Sequence, residues 1–385
     1  MFFLFRKFIV TAIFLVSFIA CSNNNGSREE SRNDTEGGRI ASPVDSSVPL
    51  GDIDFSRFAD SALRECVRNT GETTISNLLY LECVGMGIGD TSGIEQLSAL
   101  EGVSLSFNQL SVIDLSGNVA LTQLFLDGNK LTEVDFLENT ALEWISLGGN
   151  QIKSIDVSVT ADLTNLSLWG NQLTEIDISA NKALVDLELA DNGLSTIDIS
   201  WNSALARLSL DSNELTELDL SSNAALERLS VTYNPLTFID LSMNPKLEYL
   251  NLWGNELEAI DLSLNTALTS LELGKNKLNT IDVSANTRLI WLSVKNNKLA
   301  ALDVSANTDL IKLYVGFNEL ILLDVSANTK LTDLSIVFNQ LAGIDVSANT
   351  ELMNVYLVGN LIPCSDVQDI IYRYSTIDVE GCIAD

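Results

Sequence analysis

The stretch LTQLFLDGNKL at 121–131 decides the fold, and it returns as LTSLELGKNKL at 268–278. With Leu121 as position 1, units of 21 residues follow L-x-x-L-x-L-x-x-N-x-L-x-x-I-D-V-S-x-N-x-x. Leucine fills position 1 thirteen times from Leu100 to Leu352, and asparagine fills position 9 thirteen times from Asn108 to Asn360. Positions 4, 6, 11, 14 and 16 hold Leu, Ile or Val with rare departures such as Phe136. A period held without slippage means repeated supersecondary units, none of which can bury its apolar face alone.

Alternation at positions 4 and 6 describes a short strand with two inward side chains, while positions 3, 5 and 7 point outward. Stacked units pair these strands into a parallel sheet at about 4.8 Å per turn, so thirteen turns span about 60 Å. Asn at position 9 falls where the chain leaves the strand, and its amide can donate to and accept from backbone groups that the bend leaves unpaired. Twenty-one residues leave little room for a helix on the other side of the coil, where extended segments and tight turns are expected.

The pattern resembles the leucine-rich-repeat family over roughly Ile75 to Ile362, and GIGDTSGIEQLSAL at 87–100 resembles the longer units of internalin-type bacterial surface proteins. The resemblance implies an α/β-horseshoe-type, β-rich solenoid with its parallel sheet on the concave face. It also implies that ligands bind on that face, at positions 3, 5, 7 and 8.

The heptad IDVSANT at 281–287 raises a second question, because its aspartate recurs twelve times from Asp114 to Asp345. Ile and Val two apart point inward, so these aspartates form an outward ladder about 5 Å apart, where like charges repel unless each is compensated. Two compensations are open. Each carboxylate can accept from backbone N–H groups near Ser at position 17, as an Asx-type turn, or successive carboxylates can hold Ca²⁺. One aspartate per turn and no glycine-rich Ca²⁺ loop favour the turn, and no metal or cofactor is expected.

Both ends of a solenoid need covers. DFSRFADSALRECV at 54–67 places Phe58, Ala62, Leu63, Cys66 and Val67 at helical spacing, and Cys83 in LLYLEC lies within reach of Cys66. CSDVQDIIYRY begins a second cap, with Ser365 as N-cap and Val367, Ile370, Ile371 and Tyr374 on one face. The five cysteines resolve into Cys66–Cys83, Cys364–Cys382 and a leftover Cys21.

At the N-terminus Arg6 and Lys7 precede an apolar run from Phe8 to Ala20, the length of a secretory h-region rather than a membrane span. Ser17-Phe18-Ile19-Ala20-Cys21 resembles a bacterial lipobox, with Phe18 where leucine is usual, which implies lipidation of Cys21. An ordinary signal peptide or an uncleaved anchor is the other reading. Residues 22–52 are polar, with Gly, Ser and Pro throughout, and read as a tether. The resulting division is 1–20 signal peptide, 21–51 tether, 52–74 N-terminal cap, 75–362 solenoid and 363–385 C-terminal cap. An exported, lipid-anchored envelope protein, expected as a monomer, follows from it.

Charge excludes several functions. Against 22 basic residues stand 52 acidic ones, for a net charge of −30, and there is no histidine. Such a surface repels nucleic acid, and the commonest general base and metal ligand is missing. Acid pairs such as Asp186 with Glu188 could act on a glycoside, but they arise by chance in so acidic a sheet, and no deep pocket is expected. Enzyme activity is therefore not expected.

The concave columns hold four of the five tryptophans, with Trp201 alone on the convex side. Phe125, Trp144 and Trp169 form one candidate ligand-binding group on three successive turns. Tyr249, Trp253, Trp291 and Tyr314 form a second, with Tyr233, Phe317 and Phe338 along position 8, while Tyr356 occupies position 5 further on. Large exposed aromatics mark contact surfaces, although aromatics also pack on one another across strands. Between the groups run Asp186, Glu188, Asp191, Arg207, Asp211 and Arg228, and Lys275, Lys295 and Lys312 accompany the second group. A protein ligand for adhesion is the expected partner; a glycan stacking on the rings, or an envelope spacer without a ligand, are the alternatives.

Overall fold

A computed structural model of the chain describes residues 51–363, Ser365 and Thr376–Asp378. The lipidation site Cys21, the signal peptide, most of the tether, the Cys364–Cys382 pair and most of the C-terminal cap lie outside the described residues.

The described chain is a stack of short strands, each of three residues. β1 is Tyr80–Glu82, β2 is Gly102–Ser104, β3 is Gln123–Phe125, and the series continues to β14 at Asn354–Tyr356 and β15 at Thr376–Asp378. All fifteen form one parallel sheet in sequence order. Register follows the repeat: Leu124 faces Ile145, and Leu271 faces Leu292. The first pairing, Tyr80 with Gly102, spans 22 residues instead of 21, and this longer unit carries a 3₁₀ turn at Ile94–Gln96.

Inside the coil, positions 1, 4, 6, 11 and 16 are buried in turn after turn, as Leu121, Leu124, Leu126, Leu131 and Phe136 illustrate, and they belong to a single apolar column. Between residues 97 and 363 no helix interrupts the described residues.

Two asparagine columns stitch the turns together. At position 9, Asn129 Nδ2 donates to the carbonyls of Leu105 (3.0 Å) and Leu126 (2.9 Å), while its Oδ1 accepts from Leu110 N (3.0 Å). The amide therefore binds both its own turn and the preceding one, satisfying the groups that the bend exposes. A second column, to which the sequence reading gave no role, occupies position 19: Asn202 Nδ2 donates to Ile178 O (3.1 Å) and Asn181 O (2.8 Å), and Asn202 is fully buried. Thr160 replaces asparagine there in one turn.

The aspartate ladder takes the Asx form. Asp282 Oδ1 accepts from Ser284 N at 2.9 Å, Asp219 from Ser221 N at 2.9 Å, and Asp135 from Leu137 N at 2.9 Å. Hydrogen bonds from the serine hydroxyl and amide hold Asp282 below the ordinary carboxylate value. The aspartate of IDVSANT closes a turn.

At the N-terminal end α1 runs over Ser61–Asn69, capped by Asp60, whose carboxylate accepts from Ala62 N and Leu63 N. The helix is shorter than the expected spacing suggested. Phe58 precedes it, behind a 3₁₀ turn at Phe55–Arg57, because Asp60 stops the helix from starting earlier. Leu63, Cys66 and Val67 are buried beneath it, and Cys66 is disulfide-bonded to Cys83, 17 residues on, directly after β1.

Candidate functional site: the exposed strand face

Each strand from β1 to β14 offers its first and third residues to the same face and buries its middle residue, as in β4 (Trp144–Ser146), β9 (Tyr249–Asn251) and β12 (Lys312–Tyr314), where both outward residues are partly buried. The seven candidate aromatics all lie on this face. Each ring is only partly accessible. The reason is local packing. Trp169 lies across Gly148 of the preceding turn, where a Cβ would stand 2.0 Å from the indole Nε1, and Trp253 lies across Gly274 of the next turn, where a Cβ would stand 2.0 Å from the ring.

The first group is brought together in part. Phe125 and Trp144 meet edge to face with centroids 5.5 Å apart. Trp169 sits on a different column, over its glycine. In the second group Trp291 and Tyr314 are 5.5 Å apart, and Lys295 bridges Tyr314 (5.3 Å) and Trp253 (5.6 Å). Lys312 rests over Trp291 at 4.8 Å, and Arg228 over Tyr249 at 4.5 Å. Phe317 and Phe338 stack at 4.7 Å. Trp201 is exposed on the convex side beneath Lys182.

Position 8 has a property that the sequence reading missed. Its residue adopts a left-handed backbone in all thirteen turns, with φ from 52° to 77°. Five turns place glycine there, but Phe107, Tyr233, Phe317 and Phe338 place an exposed aromatic, at a conformational cost of about 1–2 kcal/mol each. Phe107 was not among the candidates, although its place in the repeat marks it as a member of the same rim.

Charge divides the face. In the turns beginning at Leu121 through Leu205 the outward columns carry Asp127, Asp186, Glu188, Asp191 and Asp211 against Arg207 alone. Asp127 is nearly inaccessible and accepts from Ser146 Oγ (2.7 Å) and Gly148 N (2.9 Å); burial still raises it above its ordinary value. Burial also raises Glu188, which accepts from Ser167 Oγ, and the neighbouring Asp186, Asp127 and Asp211 add to the effect. Asp186 is ion-paired with Arg207 at 2.7 Å. Both members of the acid pair considered for glycoside chemistry are thus engaged by neighbours on the sheet.

No family model matches the sequence, and no curated protein does. Solved structures do. The functional domain of the internalin InlJ from Listeria monocytogenes is 30% identical, superposes with a TM-score of 0.76, and the match covers 86% of this chain and 81% of that one. Internalin InlF from the same organism is 23% identical, with a TM-score of 0.71 over 88% of this chain and all of the other (100%). A leucine-rich-repeat protein of Leptospira interrogans is 20% identical, with a TM-score of 0.68, covering 84% and 98%.

The chain belongs to the internalin-like leucine-rich-repeat family. The InlJ domain is described as including a cysteine ladder, whereas here the repeats from 84 to 363 contain no cysteine and asparagines form the ladders.

Proposed function

We propose that this is an exported protein, tethered to the envelope through a lipid on Cys21, that captures a protein ligand on its strand face, in an adhesive role. The observation that carries this reading is the placing of Phe125, Trp144, Trp169, Tyr249, Trp253, Trp291 and Tyr314 on one accessible face of the sheet. Membership of the internalin-like family supports it. So does the recurrence of protein and peptide complexes among more distant neighbours of the fold, such as LRIM1 with APL1C and the plant receptor RGFR1 with RGF2. Among the described residues no helix is long and apolar enough to cross a membrane.

The test is capture from host and bacterial surface extracts by the purified protein, beside a version with Trp144, Trp169, Trp253 and Trp291 changed to alanine. A protein held by the first and lost by the second, with both folded by circular dichroism, is expected. Retention by both removes the strand face from the reading, and capture of a glycan in place of a protein replaces the ligand class. Anchoring is checked separately by labelling cells with a palmitate analogue, which Cys21→Ser is expected to abolish.

A further inference from the structure

The second half of the strand face is unlike the rest of the molecule. In the turns beginning at Leu226 through Leu310, the outward columns carry Arg228, Lys275, Lys295 and Lys312 against Glu272 alone. A chain with 52 acidic residues has ample means to neutralise four cations. Some cations elsewhere are neutralised, as Lys277 by Glu256 and Lys330 by Asp309, although others, such as Lys182 over Trp201, are not. Here none of the four enters an ion pair among the described residues, although Glu272 feels the charge of Lys295 and Asp333 stands in register with Lys312 on the next strand. Each rests instead on a ring: Arg228 on Tyr249, Lys275 on Tyr233, Lys295 between Trp253 and Tyr314, and Lys312 on Trp291.

Ring faces hold a cation in place without cancelling its charge. They also lose their own freedom. Trp253 has Gly274 against its ring and Lys295 over it, and Tyr233 has Gly254 against its ring and Lys275 over it. These rings are not free platforms for a sugar to stack on, and what the patch presents outward is ammonium. At its centre Trp291 Nε1 and Ser293 Oγ are shut from solvent with no hydrogen-bond partner, an uncommon state for buried polar atoms.

The cations also have a direction. Lys275 stands at position 8, Lys295 at position 7 of the next turn, and Lys312 at position 3 of the turn after that, so they cross the sheet diagonally. Two turn spacings and five residues of chain make this track about 15–20 Å long, the reach of roughly five or six extended residues. The acidic half of the face, from Asp127 to Asp211, repels an anionic segment and confines it to this half.

Resting on the reading of the strand face as the ligand surface, we infer that these turns dock an extended acidic segment of a protein partner. Its carboxylates are seated among Arg228, Lys275, Lys295 and Lys312. A carboxylate entering between Lys295 and Lys312 gives both ammonium groups a counter-ion and brings an acceptor to the rim of Trp291.

The probe is a fluorescein-labelled deca-glutamate peptide, followed by anisotropy with the whole protein at physiological salt, with labelled dextran sulfate in parallel. The wild type is expected to bind the peptide despite its net charge of −30, because screening limits the reach of that charge to about 8 Å. Lys275→Gln/Lys295→Gln/Lys312→Gln is expected to weaken binding roughly tenfold or more, while Lys277→Gln/Lys330→Gln, which removes two cations that lie off the strand face, leaves it unchanged. No binding by a folded wild type, or equal binding by the lysine variant, overturns the assignment; lysine-dependent binding of dextran sulfate in preference to the peptide overturns the choice of a protein segment. A surface-extract partner lost on Trp144→Ala/Trp169→Ala but kept by the lysine variant would leave the strand face standing as a binding surface and remove this assignment alone.

Discussion

Replacing Asn213 with alanine puts the asparagine stitching to a direct test. Asn213 is 7% exposed; its Nδ2 donates to Leu189 O at 3.0 Å and Leu210 O at 3.1 Å, and its Oδ1 accepts from Leu194 N at 3.0 Å. A longer bond from Nδ2 to Asp211 O at 3.3 Å adds to these, and the losses are unequal. Leu189 O keeps a donor in Asn192 Nδ2, and Leu210 O keeps one in Asn234 Nδ2. Leu194 N has no second acceptor, so a buried donor is orphaned, at about 1–3 kcal/mol. Adding a fraction of a hydrogen bond for each carbonyl gives a loss of about 2–4 kcal/mol for Asn213→Ala. Asn213→Asp separates the contributions: it keeps the acceptor for Leu194 N but turns a buried carboxylate toward two carbonyls. It is therefore expected to cost more than alanine at neutral pH and to recover as pH falls and the carboxylate protonates. The assay is equilibrium urea unfolding followed by far-ultraviolet circular dichroism and tryptophan emission. Because stability in a repeat array is carried by neighbouring interfaces, the break falls in the middle of the stack and a broader transition should accompany it. A loss below about 0.5 kcal/mol, or an aspartate variant as stable as wild type at neutral pH, would refute the claim that this amide joins the turns.

Thr160→Asn supplies the missing member of the position-19 column, adding donors toward Phe136 O and Asn139 O; a gain of about 1 kcal/mol in urea unfolding is expected. Asp127→Asn should raise stability increasingly as pH rises above the ordinary carboxylate value of 3.8, since burial raises the folded value and an acid so shifted loses its contribution as pH climbs through that raised value. Melting temperatures of the two proteins at acid and neutral pH report the crossover. Gly274→Ala drives a Cβ into the Trp253 ring, so near-ultraviolet circular dichroism should change and decaglutamate binding should fall, with the far-ultraviolet spectrum nearly unaltered.

The fold was legible because each invariant position of the repeat has a single task. Leucines at 1, 4 and 6 could only be a stacked core, and asparagine at 9 could only be serving the backbone. The second asparagine column was hidden by its context: in Ser-Ala-Asn a turn former next to a turn former reads as loop, and nothing local says that Asn286 is fully buried with its amide 2.9–3.0 Å from two carbonyls of the preceding turn. The length of α1 was misjudged because Phe58 keeps helical spacing with Ala62 while lying outside the helix. That spacing continues through the Asp60 cap, so periodicity alone does not mark where the helix begins.

The half-buried state of the aromatics was written in the sequence in a form that only the stacking decodes. An exposed ring at position 8 is followed one turn later, at the same position, by glycine or by another ring. Phe107 precedes Gly128, Tyr233 precedes Gly254, and Phe338 precedes Gly359, with Cβ clearances of 2.6, 2.9 and 2.5 Å to the ring; Phe317 precedes Phe338, on which it stacks. Ring and seat lie 21 residues apart, beyond any local window, yet they touch because the coil returns to the same column. The same rule carries a functional distinction. Where a ring meets only a glycine, as Phe107 does on Gly128, packing accounts for it. Where a ring with a glycine seat also carries an ammonium group, as Tyr233 and Trp253 do, packing explains the ring's position but not the cation, because a surface so rich in carboxylates had counter-ions to offer. Lys275 and Lys295 are thus the cations on this face that rest on rings already seated over glycine.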